Sequence, residues 1–96
     1  MEIKYMVRMA HHTAMNKGFW DTDRGVPEVL CNIHEEVSEA LQAFKHNNPV
    51  GFNEEMADIV IRVADACGKY GIDLDKEISI KMETNKSRSR LHGKAH

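Results

Sequence analysis

The sequence predicts an all-α protein, a compact antiparallel bundle of about four helices that oligomerises. Three observations predict it. Apolar residues recur at three- and four-residue spacing through most of the chain, strict polar and apolar alternation never persists, and Gly, Pro and Asn collect at the junctions. With 96 residues the chain is expected to form a single domain spanning 1–96. Such a domain buries roughly two-thirds of its unfolded surface at best, so its core is modest and a second subunit would enlarge it.

The first helix is expected over residues 2–16, where Ile3, Met6, Val7, Ala10 and Ala14 form one face. NKGFWDTDRGVP then reads as a loop, and Pro27 suits the first turn of a second helix. That helix runs to about Lys45 with a continuous stripe of Leu30, Ile33, Val37, Ala40, Leu41 and Phe44, a face that has to pack against something. HNNPVGFN reads as the next connection, with Asn53 capping a third helix that carries Met56, Ile59, Val60, Val63, Ala64 and Cys67. Ile61 widens its apolar surface beyond one stripe, which predicts a homodimer or homotetramer. Asp73 caps a fourth helix, LDKEISIKMETNKS, with Leu74, Ile78 and Met82 inward, and a basic tail follows over about 87–96. Short connections make neighbouring helices antiparallel, so helices two and three form a hairpin.

Composition narrows the class. Hydrophobic residues make up 42%, charged residues 29% and the net charge is -2, which is ordinary for a soluble globular chain. No run approaches the roughly 18 apolar residues of a membrane span or the apolar core of a signal peptide, so a cytoplasmic protein without a membrane partner is expected. Cys31 and Cys67 form no CxxC pair and read as buried small hydrophobes in a reducing compartment. Met6, Met56 and Met82 follow the core spacing and read as packing.

The distinctive feature is a pair of acidic knots, EEVSE and EEMAD. Glu35, Glu36 and Glu39 crowd one edge of the second helix, and Glu55 and Asp58 do the same on the third. If the hairpin pairs in suitable register the two edges face each other, and each carboxylate pair about 4 Å apart repels by about 4 kcal/mol at an effective dielectric near 20. Such a cluster calls for protons or cations. Oxygen-only ligands select hard cations, Mg²⁺ or Mn²⁺, and no glutamate here has a histidine three positions later, which sets aside a di-iron bundle.

A simpler explanation exists for part of this charge. Glu54 and Glu55 sit where acids favour a helix start, and runs of Glu on exposed helix faces are common. Against it, Glu35 has Glu39 at i+4, Glu36 has Ala40 and Glu39 has Ala43, so no cation answers them within the helix. The acids also border the apolar stripe, Glu36 beside Val37 and Asp58 beside Ile59, and so should be partly buried. Charge is segregated too. From Glu28 to Asp58 there are seven acids and one lysine, whereas from Lys81 to His96 there are five Lys or Arg and one Glu. An acidic metal cradle followed by a basic segment matches a polyphosphate substrate. Nucleic acid fits less well, since the net charge is negative and no helix-turn-helix or stacking motif accompanies the tail.

The two knots in this order resemble the MazG family of all-α nucleoside triphosphate pyrophosphohydrolases, whose EExxE and ExxD motifs correspond here to Glu35-Glu36-Val37-Ser38-Glu39 and Glu55-Met56-Ala57-Asp58. KMETNKSR resembles the family's Lys-x-x-x-Asn-x-x-Arg segment through Lys81, Asn85 and Arg88, and the likeness covers about residues 28–94. The resemblance implies Mg²⁺-dependent hydrolysis of a nucleoside triphosphate to monophosphate and pyrophosphate. It implies Glu36, Glu39, Glu55 and Asp58 as metal ligands, with Glu35 a further ligand or the group that orients the attacking water. Glu35 and Glu36 are thus the candidate catalytic acids. Lys81 and Arg88 are candidates for the phosphates and Asn85 for phosphate or sugar. Trp20, in KGFWD, is a candidate for stacking on the base, and a hydrophobic plug over the bundle is an equal reading of it. Two alternatives stand beside the enzyme: a non-catalytic helical interaction module, and a nucleotide phosphohydrolase of different specificity.

Overall fold

In the computed structural model, which describes residues 1–90, the chain is four helices: α1 (Ile3–Asn16), α2 (Val26–Lys45), α3 (Pro49–Tyr70) and α4 (Leu74–Ser87). No strand occurs among the described residues. The expected connection before α2 is present, with Pro27 in the first turn. Asp73 caps α4 as expected, its side chain accepting from the backbone N–H of Lys76 at 3.1 Å.

The α2–α3 connection differs from the expectation. Asn48, not Asn53, is the N-cap of α3, accepting from the N–H of Gly51 at 3.0 Å, and Pro49 fills the first turn. The eight-residue stretch expected as a loop therefore reduces to a tight turn, in which Asn47 takes the left-handed conformation at φ 54°. A Cβ on Gly51 would lie 2.4 Å from the Asn48 amide nitrogen, so the missing side chain makes room for the cap. VGFN looks like a breaker in sequence but is helical because the cap and proline ahead of it start the helix early. α3 ends at Gly71, whose left-handed φ of 67° lets Ile72 donate back to the Cys67 carbonyl at 2.9 Å.

α2 and α3 pair as the expected antiparallel hairpin, α1 lies across α3, and α4 packs mainly on α1. The α1–α3 crossing is close because residue 68 is glycine: a Cβ there would sit 2.6 Å from the Cβ of His11. Among the described residues the buried apolar ones are small, namely Ala14, Val29, Ala40, Ala64 and Cys67, Glu36 is buried beside them, and no large side chain is fully buried. The radius of gyration is 15.6 Å, against roughly 12 Å for a compact globule of this length.

Several residues expected in the core are therefore on the surface of the single chain. Leu30, Val37, Leu41 and Phe44 form an exposed stripe along α2, and Met56 and Val60 are exposed on α3 beside Ile61, whose exposure was expected. Met82, expected inward, is 66% exposed. Cys31 is an exposed free thiol, whereas Cys67 is buried as expected. The 3.6-residue period identified the apolar faces correctly, but periodicity does not say whether a face is covered by the same chain.

A carboxylate cluster across the helical hairpin

The register required by the two acidic knots is present. Carboxylate oxygens of Glu36 and Glu39 on α2 and Glu55 on α3 all lie within 4.8 Å of one another. Glu36 is buried, Glu55 half-buried and Glu39 exposed, so the cluster runs from the interior to the surface. Asp58 lies outside this triple. It is exposed, one turn beyond Glu55, and lines a cleft with Glu36. Glu35 is exposed on the adjacent edge of α2.

Part of the missing countercharge comes from within the chain. Arg62 donates from Nε to Glu36 Oε1 at 2.8 Å, and this pair was not anticipated. A signal for it existed, since Arg62 is four residues after Asp58 and seven after Glu55 and so shares their edge of α3. Only antiparallel pairing places that edge against Glu36.

Titration divides the cluster. Burial pushes Glu36 up, but hydrogen bonds from Glu55 and Arg62 and the guanidinium charge outweigh it and hold Glu36 below its ordinary value. Glu55 is raised to about 7, first by its hydrogen bond with Glu36, then by desolvation and by Glu39. The rise favours the protonated form of Glu55, where adjacent carboxylates would otherwise repel. Glu55 Oε2 is buried with no hydrogen-bond partner among the described residues. Oxygen donors converging from two helices around such an orphaned atom fit a hard cation.

Beside the cluster, between α1 and α3, opens a mainly apolar cleft of about 530 Å³, lined by Tyr5, Met9, Phe19 and Ile61 with Glu36, Asp58 and Arg62. Of the two aromatics of KGFWD it is Phe19 that lines this cleft, with the Arg62 guanidinium 5.8 Å over its ring. Trp20 is engaged elsewhere. Its indole donates to Asp65 at 2.9 Å, its ring meets His11 and Tyr70 edge-on, and Arg24 and Lys69 lie over it. His11 Nδ1 shares the same Asp65 oxygen at 2.9 Å. This second polar cluster was also missed in the sequence, because its members come from α1, the following loop and α3. It pins the loop that carries Phe19.

Lys81, Asn85 and Arg88 are exposed on α4, and none of them lines a cavity bordering the carboxylates. The last part of the expected basic tail, residues 91–96, lies outside the described residues. Among the described residues no helix is long and apolar enough to cross a membrane. No family model, curated protein or solved structure matches the chain.

Proposed function

We propose that this chain is a Mg²⁺-dependent nucleoside triphosphate pyrophosphohydrolase, with Mn²⁺ able to substitute, and that it acts as a homodimer or homotetramer. The observation that carries the reading is the meeting of Glu36, Glu39 and Glu55 across the hairpin, with a buried carboxylate oxygen left without a partner. The resemblance of the acidic knots and the KMETNKSR segment to the MazG family points the same way.

Glu36, Glu39 and Glu55 would hold the cation, with Asp58 extending the set toward the cleft. When bound, the cation lowers the pKa of a coordinated water and neutralises charge on the phosphoryl oxygens. Glu35, exposed at the adjoining edge, orients the attacking water and accepts its proton. Attack at the α-phosphorus breaks the bond to the bridging oxygen, so pyrophosphate leaves and the monophosphate gains the water oxygen. Lys81 and Arg88 bind the phosphates as cations and Asn85 donates to phosphate or sugar. A base entering the cleft meets Phe19, while Trp20 holds the loop behind it. Glu55 would act as a ligand in its carboxylate form, and Glu36 would hold the cation while keeping its hydrogen bond from Arg62 at the other side of the carboxylate.

The test is incubation of the pure protein with canonical ribo- and deoxyribonucleoside triphosphates plus Mg²⁺, followed by product analysis. Monophosphate with pyrophosphate is expected; release of inorganic phosphate alone contradicts the reading and favours a phosphohydrolase of other specificity. Glu39→Gln should abolish turnover while leaving the fold no less stable, because it removes carboxylate repulsion. Full activity in that variant overturns the ligand assignment. A second reading, a non-catalytic interaction module, draws on the exposed stripe of Leu30, Val37, Leu41 and Phe44. Absence of turnover on every nucleotide favours it. A monomer by light scattering at micromolar concentration refutes the oligomer.

A further inference from the structure

We propose, resting on the pyrophosphohydrolase reading, that the cleft between α1 and α3 takes guanine and that Asp65 reads it, so that guanosine and deoxyguanosine triphosphates are the preferred substrates. Asp65 is a carboxylate with an oxygen to spare. Its Oδ1 accepts from Trp20 Nε1 and from His11 Nδ1, both at 2.9 Å. Those bonds occupy the two lone-pair positions of Oδ1 and hold the group in one orientation. Pinning the loop needs only that oxygen, and an asparagine oxygen would serve as well. What an aspartate adds is a second acceptor, Oδ2. The side chain is 14% exposed, and no lysine or arginine pairs with it among the described residues. Asp65 lines the cleft, and Oδ2 is not sealed in the interior, where Glu55 Oε2 is the one buried side-chain atom without a partner among the described residues.

Its position suits the base end of a nucleotide. Asp58, Arg62 and Asp65 are spaced four and three apart, so they share one edge of α3, and all three line the cleft. From Asp58, at the carboxylate end, to Asp65 is about 10 Å along the helix at 1.5 Å per residue. A nucleotide with its phosphates beside Glu36 and Asp58 covers that interval with its sugar and base. Tyr5, Met9, Phe19 and Ile61 supply apolar walls for the faces of the ring. Such walls tolerate any base, because every base has a π-face. Selection therefore falls to the polar edge.

A carboxylate oxygen only accepts. On its Watson–Crick edge, the one by which proteins read an unpaired base, guanine offers two adjacent donors, N1–H and the 2-amino group, and both can converge on Oδ2. The other bases do not match. Adenine and cytosine set a ring-nitrogen acceptor beside their amino group, and uracil and thymine flank N3–H with two carbonyls. Each would turn a lone pair toward the carboxylate in a mainly apolar cleft, and an acceptor left unpaired there is how a site rejects the wrong base.

The test compares turnover of GTP, ITP, ATP, CTP and UTP with Mg²⁺ in wild type and Asp65→Asn, and measures binding of GMP, IMP and AMP by calorimetry without turnover. Inosine keeps N1–H and lacks the 2-amino group, so it isolates one of the two bonds. Wild type should favour GTP over ATP, CTP and UTP by at least about 10-fold in kcat/KM, with ITP between, and should bind GMP more tightly than IMP and IMP more tightly than AMP. Asp65→Asn keeps the oxygen that Trp20 and His11 use and turns a donor to the cleft, so kcat/KM for GTP should fall about 10- to 100-fold while that for UTP does not fall. Equal kcat/KM for every base, or an unchanged GTP to UTP ratio in Asp65→Asn, overturns the guanine assignment and leaves the proposed function standing. Selective GMP binding that Asp65→Asn abolishes, without turnover of any triphosphate, overturns the proposed function and leaves the guanine site standing. Neither turnover nor GMP binding refutes both. Should the variant fail to fold, the wild-type affinities decide, and equal binding of GMP, IMP and AMP refutes the assignment.

Discussion

Replacing Arg62 with methionine asks how much of the buried charge on Glu36 the chain itself compensates. Methionine keeps an unbranched stem, so packing beside Phe19 is largely retained while the guanidinium is lost. Glu36 would then be a buried carboxylate at 10% side-chain exposure, with Glu39 and Glu55 as its nearest charged groups. Breaking a fully buried pair costs about 3–5 kcal/mol, but Arg62 is 34% exposed and its contribution is partly screened, so we expect about 2 kcal/mol. That is roughly a 30-fold shift in the folding equilibrium, or on the order of 10 °C in Tm for a domain of this size. The assay is urea unfolding at pH 7 and fixed protomer concentration, since dissociation would otherwise enter the midpoint. Adding Glu36→Gln to Arg62→Met should restore most of the loss, because the stranded charge goes with it. Mg²⁺ should stabilise Arg62→Met more than the wild type, since it also answers the charge that the guanidinium leaves. A loss below about 0.5 kcal/mol, or no rescue by Glu36→Gln, would refute the claim that Glu36 depends on Arg62.

Other consequences are as direct. Glu55, raised to about 7, holds a proton in the folded chain that the unfolded chain releases near its ordinary value of 4.5, so its contribution to stability falls as pH rises through that window. Glu36, lowered, acts in the opposite sense and loses its contribution as pH falls below 4.5. Glu55→Gln should therefore flatten the decline in urea midpoint between pH 5 and 7.5, and an unchanged slope would contradict the rise at Glu55. Gly68→Ala places a methyl against His11 and should cost about 1–3 kcal/mol with partial loss of α1 docking, read by hydrogen exchange of α1 amides. A thiol reagent should label exposed Cys31 rapidly in native protein and Cys67 only on unfolding, because burial both shields the latter and raises its pKa. Equal labelling of both would refute the burial assignment.

The sequence by itself determined the four helices, the antiparallel hairpin and the acidic edges, because these depend on local spacing: the 3.6-residue period, the cap at Asp73, and acids three and four residues apart. It misplaced the start of α3, since a glycine read as a breaker is also what lets Asn48 form its cap. Only the tertiary structure decided the rest. Whether Glu36 would face Glu55, and whether Arg62, 26 residues on, would answer it, depends on the register of two helices, which is set by contacts between residues distant in the chain. The same holds for Asp65, shared by Trp20 and His11 from separate elements. Helix periodicity marks an apolar face without naming its partner, so the stripe on α2 was legible as a surface to be covered. That α4 leaves it and the carboxylates uncovered within the chain follows from the path after Gly71, which carries α4 onto α1.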